Sequence, residues 1–551
     1  MEKIIITFED GTKKEYPKGI KLKNIIDDVK DNYEHKIISA KFKNQLINYD
    51  DALMKSGDLI FFDITTPQGN KIYERGLTYL FETCTLKVLG KDTKIKIRHP
   101  IDKGIYCEID KKITDSQLEE IKKLMKEKVD LSLPFEQLET SRIEAIEYFK
   151  KLKREDKVKT LSYTTSNFVK LYKFDGTYNY IIGDLPHDAS VLKKFDLTKI
   201  ENKGIVLRFP FTYNNGKIKK YAYHEKYVKS LDEYSKWGNL LNINNIGELN
   251  EAIIKEGSGE IINLSEAIQD YKLLSISEEI YKSKNNIKVI LLSGPSSSGK
   301  TTTSKKLTLY LKTLGLKPHP LSLDDYFLER EDTPLDENGK PDYEGLRALD
   351  IKLFNKQLKK LLEGHEVITP TYDFLTGKKV FNKKVKLEEN GILIVEGLHA
   401  LNEELTKEIP AKNKYKMYIS PLIFLNIDDD NRISLTDIRL LRRIIRDYYT
   451  RGHSPSKTLS TWSDVRRGEE KYVFPYQDEA DVIFNSFLAY ELGVLKTYVE
   501  PLLYSVSQDD PEYHTAIRLL EILKLVLPIP SEDVPKISIL REFIGNSYFE
   551  K

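Results

Sequence analysis

Cysteine is scarce: the chain has two in 551 residues, Cys84 and Cys107. That excludes a disulfide framework and fits a reducing compartment. Long apolar runs are missing as well. Nothing approaches the about 18 uncharged apolar residues of a membrane span, so no membrane partner is expected. The short apolar run near the N-terminus is soon broken by acids, which is not the pattern of a signal peptide, and the expected location is cytoplasmic. Neither sign of charge dominates. The 87 basic and 85 acidic side chains leave a net charge of +2, too little to draw the chain to DNA or an anionic surface. No internal repeat or low-complexity tract is present, which excludes a solenoid or a disordered tail.

What is there is ordinary globular material, 40% hydrophobic and 31% charged. It is too long for one core, and about two to four domains are expected. Residues 1–62 read as a small β-rich module, with strands in KIIITF and LIFFD, an Asp10-Gly11 turn and helical spacing in LKNIIDDVK. Up to Phe62 it holds 11 Lys and 11 Asp or Glu, so it offers no electrostatic footprint for a polyanion. Residues 63–230 read as a strand at GIYCEID, a helix, a short extended piece, a second helix, and later strands in VLKKFDLTKIENKGIVLRFPF. Residues 231–285 are polar and helical by pattern, a connector. From 286 to 551, strand-like and helix-like runs alternate, the mark of a parallel α/β sheet.

The first module, with EDGTKKEYPKG at its front and KNQLINYDDALMKSGDLIFF at its back, resembles the TGS domain, a β-grasp fold at the front of threonyl-tRNA synthetases. The second is similar to the α+β "second additional domain" that follows it there. The editing relatives hold a metal with a pair of histidines four apart and a Cys-x-x-x-His. The nine histidines here include no such pair, and neither cysteine has a histidine four residues on. The resemblance therefore implies the fold without the editing site.

Gly294, Pro295, Ser296, Ser297, Ser298, Gly299, Lys300, Thr301 and Thr302 form a G-x-x-x-x-G-K-[ST] loop. An apolar run from Val289 to Leu292 precedes it, as a strand buried on both faces requires. Leu307, Leu311 and Leu314 follow at helical spacing, with Gly315 as a C-terminal cap. Backbone N–H groups and the helix N-terminus suit a nucleotide's phosphates, Lys300 reaches the β- and γ-phosphates, and the Thr301 hydroxyl suits Mg²⁺.

LSLDDYF at 321–327 reads as a short strand ending in two acids. Three loop segments follow, DYEGLRALD (342–350), TPTYDF (369–374) and ILIVEGLHAL (392–401), the last entered by the apolar strand ILIV. In this order they resemble the uridine kinase and phosphoribulokinase family of P-loop kinases, over about residues 287–492. The resemblance implies a kinase that uses ATP and Mg²⁺. It makes Asp324 the catalytic base, with Asp325 the fallback, and Glu396 a carboxylate on the metal side with Thr301. In RLLRRIIRDYYTRG, Arg439, Arg442, Arg443 and Arg446 share one helical face, and Leu440, Leu441, Ile444, Ile445 and Tyr448 an apolar one. By the same resemblance this is the lid, with Arg443, Arg446 and Arg451 clamping the transferring phosphoryl group and Arg443 and Arg446 also touching the acceptor.

Glu344 and Tyr372 hold the ribose-side positions. Gly377 and Thr461 stand where pyrimidine-specific members carry a histidine and a glutamine, and His453 replaces a lid arginine. The reading that follows is an ATP-dependent kinase acting on a small-molecule hydroxyl, first of all the 5′-hydroxyl of a nucleoside. Two alternatives stay open: an RNA- or tRNA-associated regulatory ATPase, which the neutral first module disfavours, and a kinase of a sugar phosphate or nucleotide. A homo-oligomer is also left open.

Overall fold

Four apolar residues and a serine, VILLS, make Val289–Ser293 the central strand of a five-stranded sheet, and every one of them is buried. The computed structural model describes residues 2–200, 204–222, 224–336, 339–373 and 376–549. Phe374 and Leu375, which belong to the TPTYDF and LTGKK segments, lie outside them, as do residues 201–203. In the sheet Lys317–Ser322 lies at one edge, followed by Gly391–Glu396, Val289–Ser293, Lys414–Ser420 and Val482–Asn485, with every neighbouring pair parallel. Parallel strands need helical crossovers, and their C-terminal ends line up on one side, where a ligand is held.

The first edge strand starts earlier than the sequence suggests. Pro318 and Pro320 conceal it, yet both pair in register with Ile392 and Ile394; proline is tolerated at a sheet edge, where one row of N–H groups needs no partner. The two acids follow the strand in a 3₁₀ turn, Leu323–Tyr326, instead of ending it. The segment read as a loop at 369–374 is strand: Val367–Asp373 forms an antiparallel hairpin with Lys378–Val385.

The helices before the sheet belong to its core. Glu225–Leu241, Ile246–Lys255 and Ser258–Lys282 are three helices, and the first runs through the boundary set at residue 230. Tyr234 donates its hydroxyl to Ile483 O at 2.7 Å and accepts from Asn485 N at 3.2 Å, locking the far edge strand. Leu273, Ile276 and Ile280 pack in one cluster with Ile290, Leu292 and Leu307.

At the front, Lys3–Thr7 pairs antiparallel with Lys13–Pro17 and parallel with Gly57–Phe62 in a five-stranded sheet, with Leu22–Val29 supplying four buried residues to the core beneath it. A 23-residue helix, Pro67–Leu89, follows, capped by Thr66 with proline at its start. Beside it lie the four-stranded sheet over 95–109 and 196–208 and the three-stranded sheet over 136–141 and 168–179. This middle module grips loop 426–432, which follows the strand Lys414–Ser420 of the parallel sheet. Lys157, fully buried, meets Asp428 at 3.3 Å and Asp430 at 2.9 Å, Asn179 donates to Asp430 at 2.9 Å, and Asn426 donates to Ile97 O at 2.7 Å. The lid helix Leu435–Arg451 begins three residues after this knot.

Candidate active site

The phosphate loop leaves the central strand and enters helix Lys300–Thr313 through Gly299, whose φ of 86° is one that side chains rarely adopt. A Cβ at this position would also stand 2.5 Å from Ile539 Cγ2. Lys300 Nζ donates to Gly294 O at 3.0 Å and Pro295 O at 3.2 Å, curled back over its own loop. The buried hydroxyls of Ser297 and Ser298 have no hydrogen-bond partner among the described residues. Orphaned buried donors in a loop that opens a helix fit a bound phosphate.

Two carboxylates face this loop. Glu396, at the end of its strand, accepts from Ser322 Oγ at 2.9 Å and from Thr301 Oγ1 at 3.4 Å. Burial and the charge of Asp324 push it up to about 7, against the pull of Lys300. Asp324 is raised by burial too, with Lys300, Arg451 and Arg446 drawing it back down. Asp325 turns elsewhere: its carboxylate accepts from Tyr372 N at 3.1 Å and lies 3.6 Å from Lys383. Crowded carboxylates beside hydroxyls suit a hard divalent cation, which needs few protein oxygens and keeps several waters.

The arginines of the lid helix divide into two sets. Arg442 is fully buried, paired with Glu491 at 2.6 Å and donating to Ser297 O at 3.3 Å. Arg439 pairs with the fully buried Glu469 and donates to Ser296 O at 3.0 Å, and Glu469 in turn accepts from Ser296 N at 2.8 Å. These two shape the loop from behind, so the four arginines read as one stripe are not one solvated face. Tyr448, placed on the apolar face, is 45% exposed while Leu440, Leu441, Ile444 and Ile445 are buried. Arg443, Arg446 and Arg451 form the second set. They gather round a single carboxylate, Asp447, at 3.1, 2.9 and 3.6 Å, and Arg443 also donates to Ser296 Oγ at 2.9 Å. Three cations on one anion leave a positive excess, and the neighbouring Arg446 charge together with burial lowers Arg451 to about 10.

Glu344 joins the site from the loop before residue 350. Burial and the charge of Glu469 raise it to about 7, offset by Arg443. His399, held neutral by burial, donates Nε2 to the Glu344 carbonyl at 2.9 Å and fixes that loop. Tyr372 packs on Phe327, ring centres 5.7 Å apart. The structure thus gathers Lys300, Thr301, Asp324, Glu344, Glu396, Arg443, Arg446 and Arg451 at the sheet's C-terminal end. Sequence reasoning missed Glu469, Asp447, His399 and Glu542, each of which acts through a partner distant in sequence or through a neighbour it orients.

Residues 289–491 match the model of the Phosphoribulokinase / Uridine kinase family. A uridine kinase of Ligilactobacillus salivarius is 30% identical over 201 residues, covering 36% of this chain and 85% of that protein. This chain belongs to the phosphoribulokinase and uridine kinase family. A uridine kinase of Borrelia duttonii is 32% identical over the same shares of the two chains, 36% and 85%, and one of Staphylococcus haemolyticus is 29% identical over 36% and 87%. All three alignments fall on the kinase portion of the chain. No helix among the described residues is long and apolar enough to cross a membrane.

Proposed function

We propose that the chain is an ATP-dependent kinase that transfers the γ-phosphate to a small-molecule hydroxyl, first of all the 5′-hydroxyl of a nucleoside. One observation carries this reading: Asp324 lies half-buried within the electrostatic reach of Lys300, Arg446 and Arg451 beside the phosphate loop. An acid so placed can take the proton of an attacking hydroxyl while cations hold the phosphoryl group. In the reaction the acceptor oxygen bonds to the γ-phosphorus, the bond from phosphorus to the β–γ bridging oxygen breaks, and the acceptor proton passes to Asp324. Lys300 and the loop N–H groups hold the phosphates, and Arg443, Arg446 and Arg451 stabilise the spreading charge. Thr301 and Glu396 would hold Mg²⁺, which supplies charge neutralisation when bound. Glu344 and Tyr372 hold the ribose.

The base side supports a loosely selective pocket. Thr461 donates its hydroxyl to its own helix, at Lys457 O and Thr458 O. Gly377, at φ 72°, is packed by Arg330, whose Cβ would lie 2.8 Å from any Cβ there. Neither position can give a base the polar contact of a histidine or glutamine. The Arg330 guanidinium also lies against Gly377, with Nε and Cζ 3.0 and 3.3 Å from a Cβ built there, and a cation at this spot favours as a second reading an acceptor that already carries a phosphate. The test is kcat/KM at fixed Mg·ATP across uridine, cytidine, adenosine, guanosine, inosine, UMP and ribose 5-phosphate. Nucleosides turned over within about a hundredfold of one another support the reading. One pyrimidine nucleoside preferred by about a thousandfold, roughly 4 kcal/mol, overturns the loose pocket, and turnover of phosphorylated acceptors only moves the assignment to the second reading. The mixed sheet with a parallel pair and one packed helix at residues 1–62 supports a TGS-like β-grasp there. The helix-and-sheet module behind it supports the synthetase-like reading.

A further inference from the structure

A cavity of about 850 Å³ lies away from the phosphate loop, between the front modules and the kinase portion. At one end its wall carries Lys41, Lys71, Arg75, Arg432 and Arg518 against Glu74, Asp437 and Glu512, an excess of two positive charges. Glu74 is taken by Arg432 at 2.7 Å. Asp437 serves two cations at once, Lys71 at 3.1 Å and Arg518 at 2.7 Å. Among the described residues, Lys41 and Arg75 hydrogen-bond to backbone carbonyls alone, those of Pro511 at 3.0 Å and Asp184 at 2.8 Å. Lys71 and Arg75 stand four residues apart on helix Pro67–Leu89 and so share a face.

The field at this end shows in its bases. Burial and the charges of Arg518 and Arg75 lower Lys71 to about 8, and burial with Lys41, Arg518 and Lys71 lowers His514 to about 4. Lys71 nonetheless keeps 30% of its side-chain surface, so it is reachable from the cavity. Elsewhere the wall mixes the rings of Phe211, Trp462 and Phe474 with charged side chains such as Lys103, Arg466 and Glu470. The volume is that of an ordinary small-molecule site.

We propose that this cavity is a second ligand site, for a phosphorylated small molecule whose phosphate is held by Lys71, Arg75 and Arg518, and that its occupancy adjusts the kinase through Asp437. Asp437 lies in the first turn of the lid helix, whose Arg439, Arg442 and Arg443 reach Ser296 and Ser297 of the phosphate loop. A phosphate that engages Lys71 and Arg518 takes both from Asp437 and changes what anchors that helix. The binding step stands without the kinase reading; the coupling step rests on it.

The experiment is calorimetric titration of the full chain with inorganic phosphate, methyl phosphate and phenyl phosphate, none of which carries an alcohol that the kinase reading would use, repeated on Lys300→Ala and on a Lys71→Gln/Arg75→Gln double variant shown to be folded by circular dichroism. At least one probe is expected to bind the full chain and Lys300→Ala alike, and the double variant about tenfold more weakly or not at all. Binding that survives in the double variant, binding lost in Lys300→Ala, or no binding by any of the three up to about 10 mM overturns the site. For the coupling, the best probe is expected to shift the KM for ATP or acceptor about threefold in the full chain and not in the double variant. Binding at the cavity with unchanged kinetics refutes the coupling and leaves the kinase reading intact, because turnover is measured in the same assay.

Discussion

The Glu542 carboxylate accepts the backbone N–H of Thr302 at 3.0 Å. That donor lies in the first turn of the phosphate-loop helix, where a nucleotide phosphate would be received. Its segment is pressed in place by Ile539 against Gly299 and by Phe543 beneath the Arg442 guanidinium, 5.0 Å from the ring centre. Glu542 therefore competes with the nucleotide for one donor. Glu542→Gln is expected to tighten ATP binding about threefold and to lower the unliganded melting temperature by a few degrees. Calorimetry and thermal unfolding measure the two effects. Weaker ATP binding would instead make Glu542 a supporting contact.

Asp324 and Asp325 are adjacent yet turned to different tasks. Asp324→Asn is expected to cut kcat by at least about a hundredfold with ATP affinity changed little, since the carboxylate serves the acceptor. Asp325→Asn keeps an oxygen to accept from Tyr372 N and loses the charge that faces Lys383, and a drop of less than about tenfold is expected. Steady-state kinetics on both variants decide, and the reverse ranking would move the base by one residue.

The legible parts of this chain are those where one local pattern has one outcome. The apolar run before Gly294 and the leucines after Lys300 could hardly be anything but a buried strand and a helix. Helix Pro67–Leu89 went unread, although its Thr66–Pro67 start signal was there to find. The prolines of Lys317–Ser322 hid an edge strand because local propensity speaks against strand and only the neighbour Gly391–Glu396 overrules it. The arginine face was legible as a face, but not the division of labour within it. Helical spacing shows that Arg439, Arg442, Arg443 and Arg446 point the same way, but not that Glu469 and Glu491, 30 and 49 residues on, claim two of them.

Glu469, fully buried, holds Arg439, Arg466 and the Ser296 N–H. Replacing it leaves the buried Arg439 uncompensated, while Arg466 keeps Glu470, so Glu469→Gln is expected to destabilise the fold by about 3 kcal/mol. Urea unfolding followed by circular dichroism measures this. A loss under about 1 kcal/mol would mean that solvent reaches the cluster.

Glu344 carries a pH dependence. Burial and Glu469 raise it from its ordinary value of 4.5 to about 7, so the unliganded fold favours the protonated form. That contribution to stability is complete below about pH 4.5 and is lost as pH rises through 7. Accepting ribose hydroxyls needs the ionised form, so acceptor kcat/KM is expected to rise between about pH 6 and 8, and Glu344→Gln to flatten that step. A profile unchanged by the substitution would assign the step to another group.

Tyr490 donates its hydroxyl to Glu266 at 2.6 Å, across 224 positions of sequence and inside the core. A chain leaving the ribosome at about 5–20 residues per second finishes helix Ser258–Lys282 roughly 10–42 s before Tyr490 exists. The strands that cover its apolar stripe, Leu273, Ile276 and Ile280, are made within that interval, but the hydroxyl that Glu266 accepts comes only at its end. A nascent chain stalled short of residue 490 would hold the stripe against the sheet and still lack this contact.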